Sequence, residues 1–187
     1  MTIAEQKKEL RRKVRQLKGL LTKSQKDDAA RRLVVKAMAN PDVKAAKNVL
    51  SFWPMPDEID LVALNLALRN AGKNVYLPII MGADLEFHLF QGVDKLIPDP
   101  DYGIFQPPLN SPALPPEASQ TEDLVILTPG IAFAPDGRRL GRGKGFYDRA
   151  FLDFPCAVRI GVGFECQLVP DVPTDWNDVP LDFLILG

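Results

Sequence analysis

Leu124-Val125-Ile126-Leu127-Thr128-Pro129-Gly130 leads, through a short connection, to Arg139-Leu140-Gly141-Arg142-Gly143-Lys144-Gly145-Phe146-Tyr147-Asp148-Arg149. The first run is continuously apolar and closes on Pro-Gly, the pattern of a strand buried on both faces of a parallel sheet. The second alternates three glycines with two cations, then adds an aromatic pair and a carboxylate. A helix is expected to begin near Gly145–Phe146 and to run to Phe151 or Leu152. Strand, glycine bend and helix belong to α/β folds, whose ligands sit outside the carboxyl ends of the strands. Glycines without Cβ let backbone N–H groups converge on one point, which makes an anion cradle. The interleaved cations suit phosphate oxygens. Five of the 12 residues from Arg138 to Arg149 are Lys or Arg, where 23 in 187 predicts about 1.5. The bend reads as a polyphosphate site.

The surroundings of that bend are ordinary. At 187 residues the chain fits one domain, residues 1–187, with a full core. Hydrophobic residues make up 46% and charged ones 25%, and the net charge is −1. A local basic loop on a near-neutral background favours a small anionic ligand and argues against a dedicated nucleic-acid binder. Cys156 and Cys166 show no C-x-x-C spacing and no His partner, so both are expected to be buried small hydrophobes in a reducing compartment. Residues 1–32 are highly charged and lack an apolar signal region, and no apolar run approaches the ~18–20 residues of a membrane span. A cytoplasmic protein with no membrane partner is expected, as a monomer.

Regular elements can be placed around the bend. Thr2-Ile3-Ala4-Glu5 is a capping box, and Leu10, Val14, Leu17 and Leu21 form an apolar stripe on a first helix over about residues 3–21. Ser24-Gln25-Lys26-Asp27 starts a second helix that stops before Asn40-Pro41. Val49 to Trp53 reads as a buried strand, and a helix from about Glu58 to Asn70 buries Leu61, Leu64 and Leu68 before glycine closes it at Gly72. Asn74–Leu77, Leu85–Phe90, a segment around Val158, Ile160 and Val162, and Phe183–Leu186 are further strands. Residues 98–120 carry seven prolines and cannot form a regular element; they are a surface excursion or a functional loop. Strands separated by helices give a three-layer α/β/α fold with a mostly parallel central sheet.

The bend is neither a P-loop, which needs Gly at 138 and Ser or Thr at 145, nor G-x-G-x-x-G, whose third glycine would come one residue later. A carboxylate a helical turn from phosphates repels them unless a cation bridges the two. Asp148 is therefore a candidate Mg²⁺ ligand, against the plainer reading of an ion pair with Arg149 or a charge at a helix N-terminus.

Residues 125–149 closely resemble the signature of the 5-formyltetrahydrofolate cyclo-ligase (5,10-methenyltetrahydrofolate synthetase) family. The resemblance extends to Lys7-Lys8-Glu9-Leu10-Arg11, Asp57-Glu58-Ile59, Tyr102-Gly103-Ile104 and Asp178-Val179-Pro180-Leu181-Asp182. Ala134 stands where many members have Asp, and Phe146 where Tyr is usual. The resemblance implies an ATP- and Mg²⁺-dependent ring closure of 5-formyltetrahydrofolate through a phosphorylated formyl oxygen. It also implies site residues. Lys7 and Arg11, on one helix face, match cations that meet ATP phosphates. Arg139, Leu140, Gly141, Arg142, Gly143, Lys144, Gly145, Phe146 and Tyr147 match the ATP loop, with Arg142 and Lys144 as catalytic charge clamps. Glu58 matches a folate-contacting carboxylate, where a charge at a helix N-terminus is the plainer explanation, and Trp53 and Tyr102 match positions lining the folate site. Asp178 resembles a second carboxylate near the metal, with turn formation as the competing role. His88, in an alternating strand pattern, is expected to be structural.

Two other readings stay open on sequence alone. A sugar-phosphate isomerase or acyl-CoA transferase-like enzyme shares the layered architecture and needs no ATP. A polyanion-binding module would use the basic loop and helix and show steep salt dependence.

Overall fold

The computed structural model describes residues 1–101 and 103–187, and Tyr102 lies outside the described residues. Thr2 and Glu5 cap α1 (Ile3–Gly19) reciprocally: the Glu5 N–H donates to the Thr2 hydroxyl at 3.2 Å, and the Thr2 N–H to the Glu5 carboxylate at 2.7 Å. The same device at Thr22 and Gln25 starts α2 (Lys23–Ala39) ahead of the expected Ser24. α2 stops before Asn40 as anticipated, but Asn40 then caps a short α3 (Pro41–Ala45). Next come β1 (Asn48–Leu50), α4 (Val62–Asn70), β2 (Asn74–Met81), β3 (Asp84–Leu89), β4 (Ile97–Pro98) and β5 (Phe105–Gln106). β6 (Leu124–Pro129), β7 (Ala132–Phe133), β8 (Arg139–Leu140), α5 (Phe146–Asp153), β9 (Val158–Gly163) and β10 (Phe183–Leu186) complete the chain.

Six strands form one sheet in the order β10-β9-β6-β1-β2-β3, parallel throughout except for the β2–β3 hairpin. Alternation along β6 assigns its faces. Val125 and Leu127 join Val49, Val75 and Leu77 beneath α2 and α4. Leu124 and Ile126 join Leu50 and Tyr76 beneath α5. The expected layers are present.

α1 belongs to neither layer. Leu10 and Val14 pack on the β7–β8 ribbon and Val172. Leu17, expected inside, is 45% exposed, whereas Lys18 is 3% exposed. The inward turn of α1 at that level meets a carboxylate and not the sheet.

Several boundaries moved for local reasons. β1 ends at Leu50 because Ser51 and Phe52 enter a buried polar knot: the Ser51 hydroxyl donates to Asn65 Oδ1 at 2.5 Å and Asn65 Nδ2 to the Phe52 carbonyl at 3.2 Å. α4 starts at Val62, not Glu58, because residues 55–58 close a turn in which the Glu58 N–H donates to the Met55 carbonyl and the Met55 N–H to the Glu58 carboxylate, both at 2.9 Å. β2 continues past Leu77 to Met81 despite Pro78. The Tyr76 carbonyl accepts from Ser51, so the Pro78 nitrogen, of the same parity, faces beyond the end of β1, where no ladder bond is needed.

The proline-rich stretch holds more regularity than expected: the two-residue β4–β5 ribbon and a 3₁₀ turn at Pro116–Gln120. Residues 111–114 also cover the free edge of β3. The Leu89 N–H donates to the Pro112 carbonyl and the Leu114 N–H to the Phe87 carbonyl, both at 2.8 Å, which protects a strand that would otherwise invite pairing. His88 is structural as anticipated, buried with Nδ1 2.8 Å from the Ser111 carbonyl. The cysteines differ from expectation: Cys156 is exposed and Cys166 half-buried, since Cys156 falls in the turn between α5 and β9. Among the described residues no helix is long and apolar enough to cross a membrane.

Candidate functional site

A cleft of about 1110 Å³ opens at the carboxyl ends of β1, β2 and β6, as the switch-point geometry requires. Phe52 and Trp53 enter it from the end of β1, Pro78 and Ile80 from β2, and Pro129 and Gly130 from β6. The glycine bend forms one wall, α1 contributes Lys7 and Arg11, and the turn at Asp175–Asp178 closes one side.

Gly143 (φ +98°) and Gly145 (φ +68°) occupy the left-handed region, which is why these two places need glycine. Gly145 is the N-cap of α5 and has no side chain to satisfy the first turn. Among the described residues, no backbone N–H from Arg142 to Tyr147 donates to another protein group. The bend thus keeps open donors at a helix N-terminus whose residues line the cleft. Two arginines fix its shape. Arg11 Nε donates to the Gly141 carbonyl at 2.9 Å. Arg149 donates to the Lys144 carbonyl at 3.1 Å, to Asp84 at 3.0 Å and to the Ala83 carbonyl, tying the bend to the β2–β3 turn.

The cations of the signature fall into different situations. Arg139 is buried, donates to Asp148 at 2.9 Å and to the Pro129 carbonyl at 3.3 Å, and lies 5.8 Å from the ring centres of Tyr147 and Phe151. Asp148 sits in the first turn of α5 and also accepts from the Val179 N–H at 3.4 Å. Its ion partner is therefore Arg139 and not Arg149. Arg142 reaches back across the cleft to Glu58 at 2.9 Å and to Asp57. Among the described residues Lys144 has no ion-pair partner, and it stands exposed at the crest of the bend.

Glu58 is not at a helix N-terminus, because α4 begins later; its carboxylate is only 9% exposed and serves Arg142 and the Met55 N–H. Burial works against ionisation of Asp57, but hydrogen bonds from Arg142 and Lys18 outweigh it and hold the carboxyl below its ordinary range. The Lys7 ammonium, which burial alone would depress, is raised by Asp178 at 2.5 Å and Asp175 at 2.9 Å. Asp178 does form a turn, its carboxylate accepting from the Asp175 N–H at 2.8 Å, and it also holds Lys7. Trp53 packs on Phe90 and Phe105, 6.3 and 6.1 Å between ring centres, while lining the cleft. The Tyr147 hydroxyl is buried and has no hydrogen-bond partner among the described residues. Desolvation, then the nearby charge of Glu58, pushes its pKa upward and favours the neutral hydroxyl. Among the described residues no group of three or more His, Cys, Asp or Glu converges to hold a metal on its own.

The cleft therefore gathers Lys7, Arg11, the whole bend, Trp53, Glu58, Asp148 and Asp178 around one space. Three participants were missed. Asp57 stood beside Glu58 in the quoted triplet and was passed over. Asp175 lies in a polar turn with no pattern of its own. Lys18 follows an apolar stripe position and gives no sequence signal.

A family model described as the 5-formyltetrahydrofolate cyclo-ligase family matches residues 3–187. The 5-formyltetrahydrofolate cyclo-ligase of Haemophilus influenzae is 30% identical over 190 residues, with 98% of each chain covered. That of Escherichia coli K12 is 31% identical over 177 residues, covering 92% of this chain and 95% of the relative. The solved structure of Aquifex aeolicus 5,10-methenyltetrahydrofolate synthetase matches with a TM-score of 0.80 at 29% identity, over 96% of this chain and 88% of that one. The 5,10-methenyltetrahydrofolate synthetase of Mycoplasma pneumoniae, at 21% identity and a TM-score of 0.73 over 96% of this chain and 98% of that one, shares the fold.

Proposed function

This chain belongs to the 5-formyltetrahydrofolate cyclo-ligase family and is an enzyme of that activity, and on that premise we propose that it uses ATP and Mg²⁺ to close the ring. The formyl oxygen of 5-formyltetrahydrofolate attacks the γ-phosphorus of ATP and ADP leaves. N10 then bonds to the activated formyl carbon and loses its proton. Phosphate departs with the former formyl oxygen, leaving 5,10-methenyltetrahydrofolate. Phosphorylation is needed because an amide-like oxygen leaves poorly. The protein's work is alignment and charge stabilisation, with no covalent nucleophile.

The observation that carries this reading is the glycine bend, whose open N–H groups and exposed Lys144 share one cleft with a buried carboxylate and an aromatic wall. Lys144 and the bend receive the triphosphate, with Lys7 and Arg11 beside them. Arg142 follows the transferring group once it leaves Glu58. Arg139 serves the nucleotide through Asp148 and the bend's shape, being turned inward. Glu58 accepts hydrogen bonds from the donor edge of the pterin, and Trp53 flanks it. A Mg²⁺ would find two protein carboxylates, Asp148 and Asp178, each already held by one cation. That donor set fits a magnesium bound chiefly by phosphate oxygens and water. When bound, it would neutralise developing charge on the β- and γ-oxygens.

The test is optical. The protein is incubated with 5-formyltetrahydrofolate and Mg-ATP and the absorbance of the methenyl product is followed, with parallel runs lacking ATP or Mg²⁺. Product in the complete mixture alone is expected. Equal product without ATP would overturn the nucleotide assignment and revive an isomerase- or transferase-like chemistry.

A further inference from the structure

α1 carries a row of inward-facing positions at Lys7, Arg11, Val14 and Lys18, and three of them are cations that each hold a different segment of the cleft. Lys7 holds the Asp175–Asp178 turn and Arg11 the Gly141 carbonyl. Lys18, only 3% exposed, donates to the Asp57 carbonyl at 2.7 Å and to its carboxylate at 2.9 Å. A lysine buried this deeply is uncommon unless paired. Its partner is not core structure but the turn that presents Asp57 and Glu58 to Arg142.

Charge counting gives the arrangement a purpose. Asp57 and Glu58 face Lys18 and Arg142, two carboxylates against two cations. Without Lys18, two carboxylates would share Arg142 alone and hold it more tightly. An arginine that must leave its resting partners to meet a phosphoryl group would then be slow to leave. We propose that Lys18 is a positioning residue of this active site: it neutralises Asp57 and fixes the 55–58 turn, so that Arg142 rests at the cleft rim yet stays transferable to phosphate. This rests on the roles proposed above for Arg142 and Glu58, and it adds a residue outside the cleft lining to the machinery.

The experiment compares wild type with Lys18→Met, Lys18→Arg, Asp57→Asn and the Lys18→Met/Asp57→Asn double variant, with Glu58→Gln as the control on the underlying reading. Turnover is followed by methenyl absorbance at varied ATP and varied folate, and folding by urea unfolding. Lys18→Met is expected to lower kcat and raise KM for ATP, together about tenfold in kcat/KM, the size of one hydrogen-bonded charge. Lys18→Arg is expected to retain most activity. The decisive arm is the double variant: removing Asp57's charge restores neutrality around Arg142, so it should be more active than Lys18→Met alone. A residue that merely props the fold would recover activity only in step with the urea midpoint, and a double variant no better than Lys18→Met in kcat/KM overturns the proposal. If Lys18→Met unfolds, the comparison of Lys18→Arg with wild type decides: a KM for ATP in Lys18→Arg raised as far as in Arg142→Ala also overturns it. Glu58→Gln with wild-type kinetics would instead sink the folate and clamp roles themselves, a result distinct from failure of Lys18 alone.

Discussion

Two arginines three positions apart in one motif, Arg139 and Arg142, each pair with carboxylates, and the structure uses the two pairings in opposite ways. Beneath the bend, Arg139 and Asp148 have side chains 5% and 20% exposed, enclosed by Tyr147, Phe151 and the Pro129 carbonyl. At the rim, Arg142 is 32% exposed and Asp57 42%, with water at hand to take over either charge. Coulomb attraction in the enclosed pair is weakly screened, and breaking it strands a charge away from solvent. The rim tie to Asp57 can open at small cost, and Glu58, only 9% exposed, keeps the Met55 N–H as a partner when Arg142 leaves. Similar chemistry thus makes a strut in one place and a more releasable tie in the other, set apart by the exposure of Arg142 and Asp57 and by the second partner that Glu58 keeps.

The comparison can be broken in three ways. Arg139→Ala is expected to have the largest effect, a loss of about 3–5 kcal/mol in folding stability from an uncompensated Asp148, read by urea unfolding; near-native stability would show that the pair is no strut. Arg142→Ala and Lys144→Ala should each reduce turnover by about 100-fold while moving unfolding by no more than about 1 kcal/mol. If Arg142→Ala unfolds the protein as readily as Arg139→Ala, the distinction fails. The smallest effect is in pH. Asp57 is held below its ordinary pKa of about 3.9 when folded, so its stabilisation is present above about pH 4 and is lost as pH falls through the folded value. At a rim this exposed it amounts to roughly 0.5 kcal/mol. The gap in urea midpoint between wild type and Asp57→Asn should therefore close below about pH 4, and a gap persisting there would mean that the tie is not ionic.

How far the sequence carries depends on whether a residue's environment is local. Leu124–Leu127 announces a central strand because an unbroken apolar run has few other homes, and Gly145–Phe146 announces a helix start because left-handed backbone precedes it. The capping box at Thr2 is also written within four residues, while the same device at Thr22 was passed over in favour of Ser24. The start of α4 was misjudged because hydrogen bonds at Met55 and Glu58 close the 55–58 turn ahead of it, while Arg142, distant in the chain, claims that turn's carboxylates. Leu17 and Lys18 exchanged places because α1 rests on a ribbon and a carboxylate, and periodicity cannot name the surface a helix will meet. For the same reason the bend could be read as an anion cradle, yet which of its cations are already engaged could not.

The ties of α1 have a consequence for how the molecule is made. Lys7 bonds a residue 171 positions away, Arg11 one 130 away, and Lys18 one 39 away. During synthesis the first helix emerges before any of these partners exists. It waits as a basic, well-capped rod with little grease to hide, while the strands behind it assemble. It can settle fully only once the Asp175–Asp178 turn has been made, so the cleft lacks one of its walls until then.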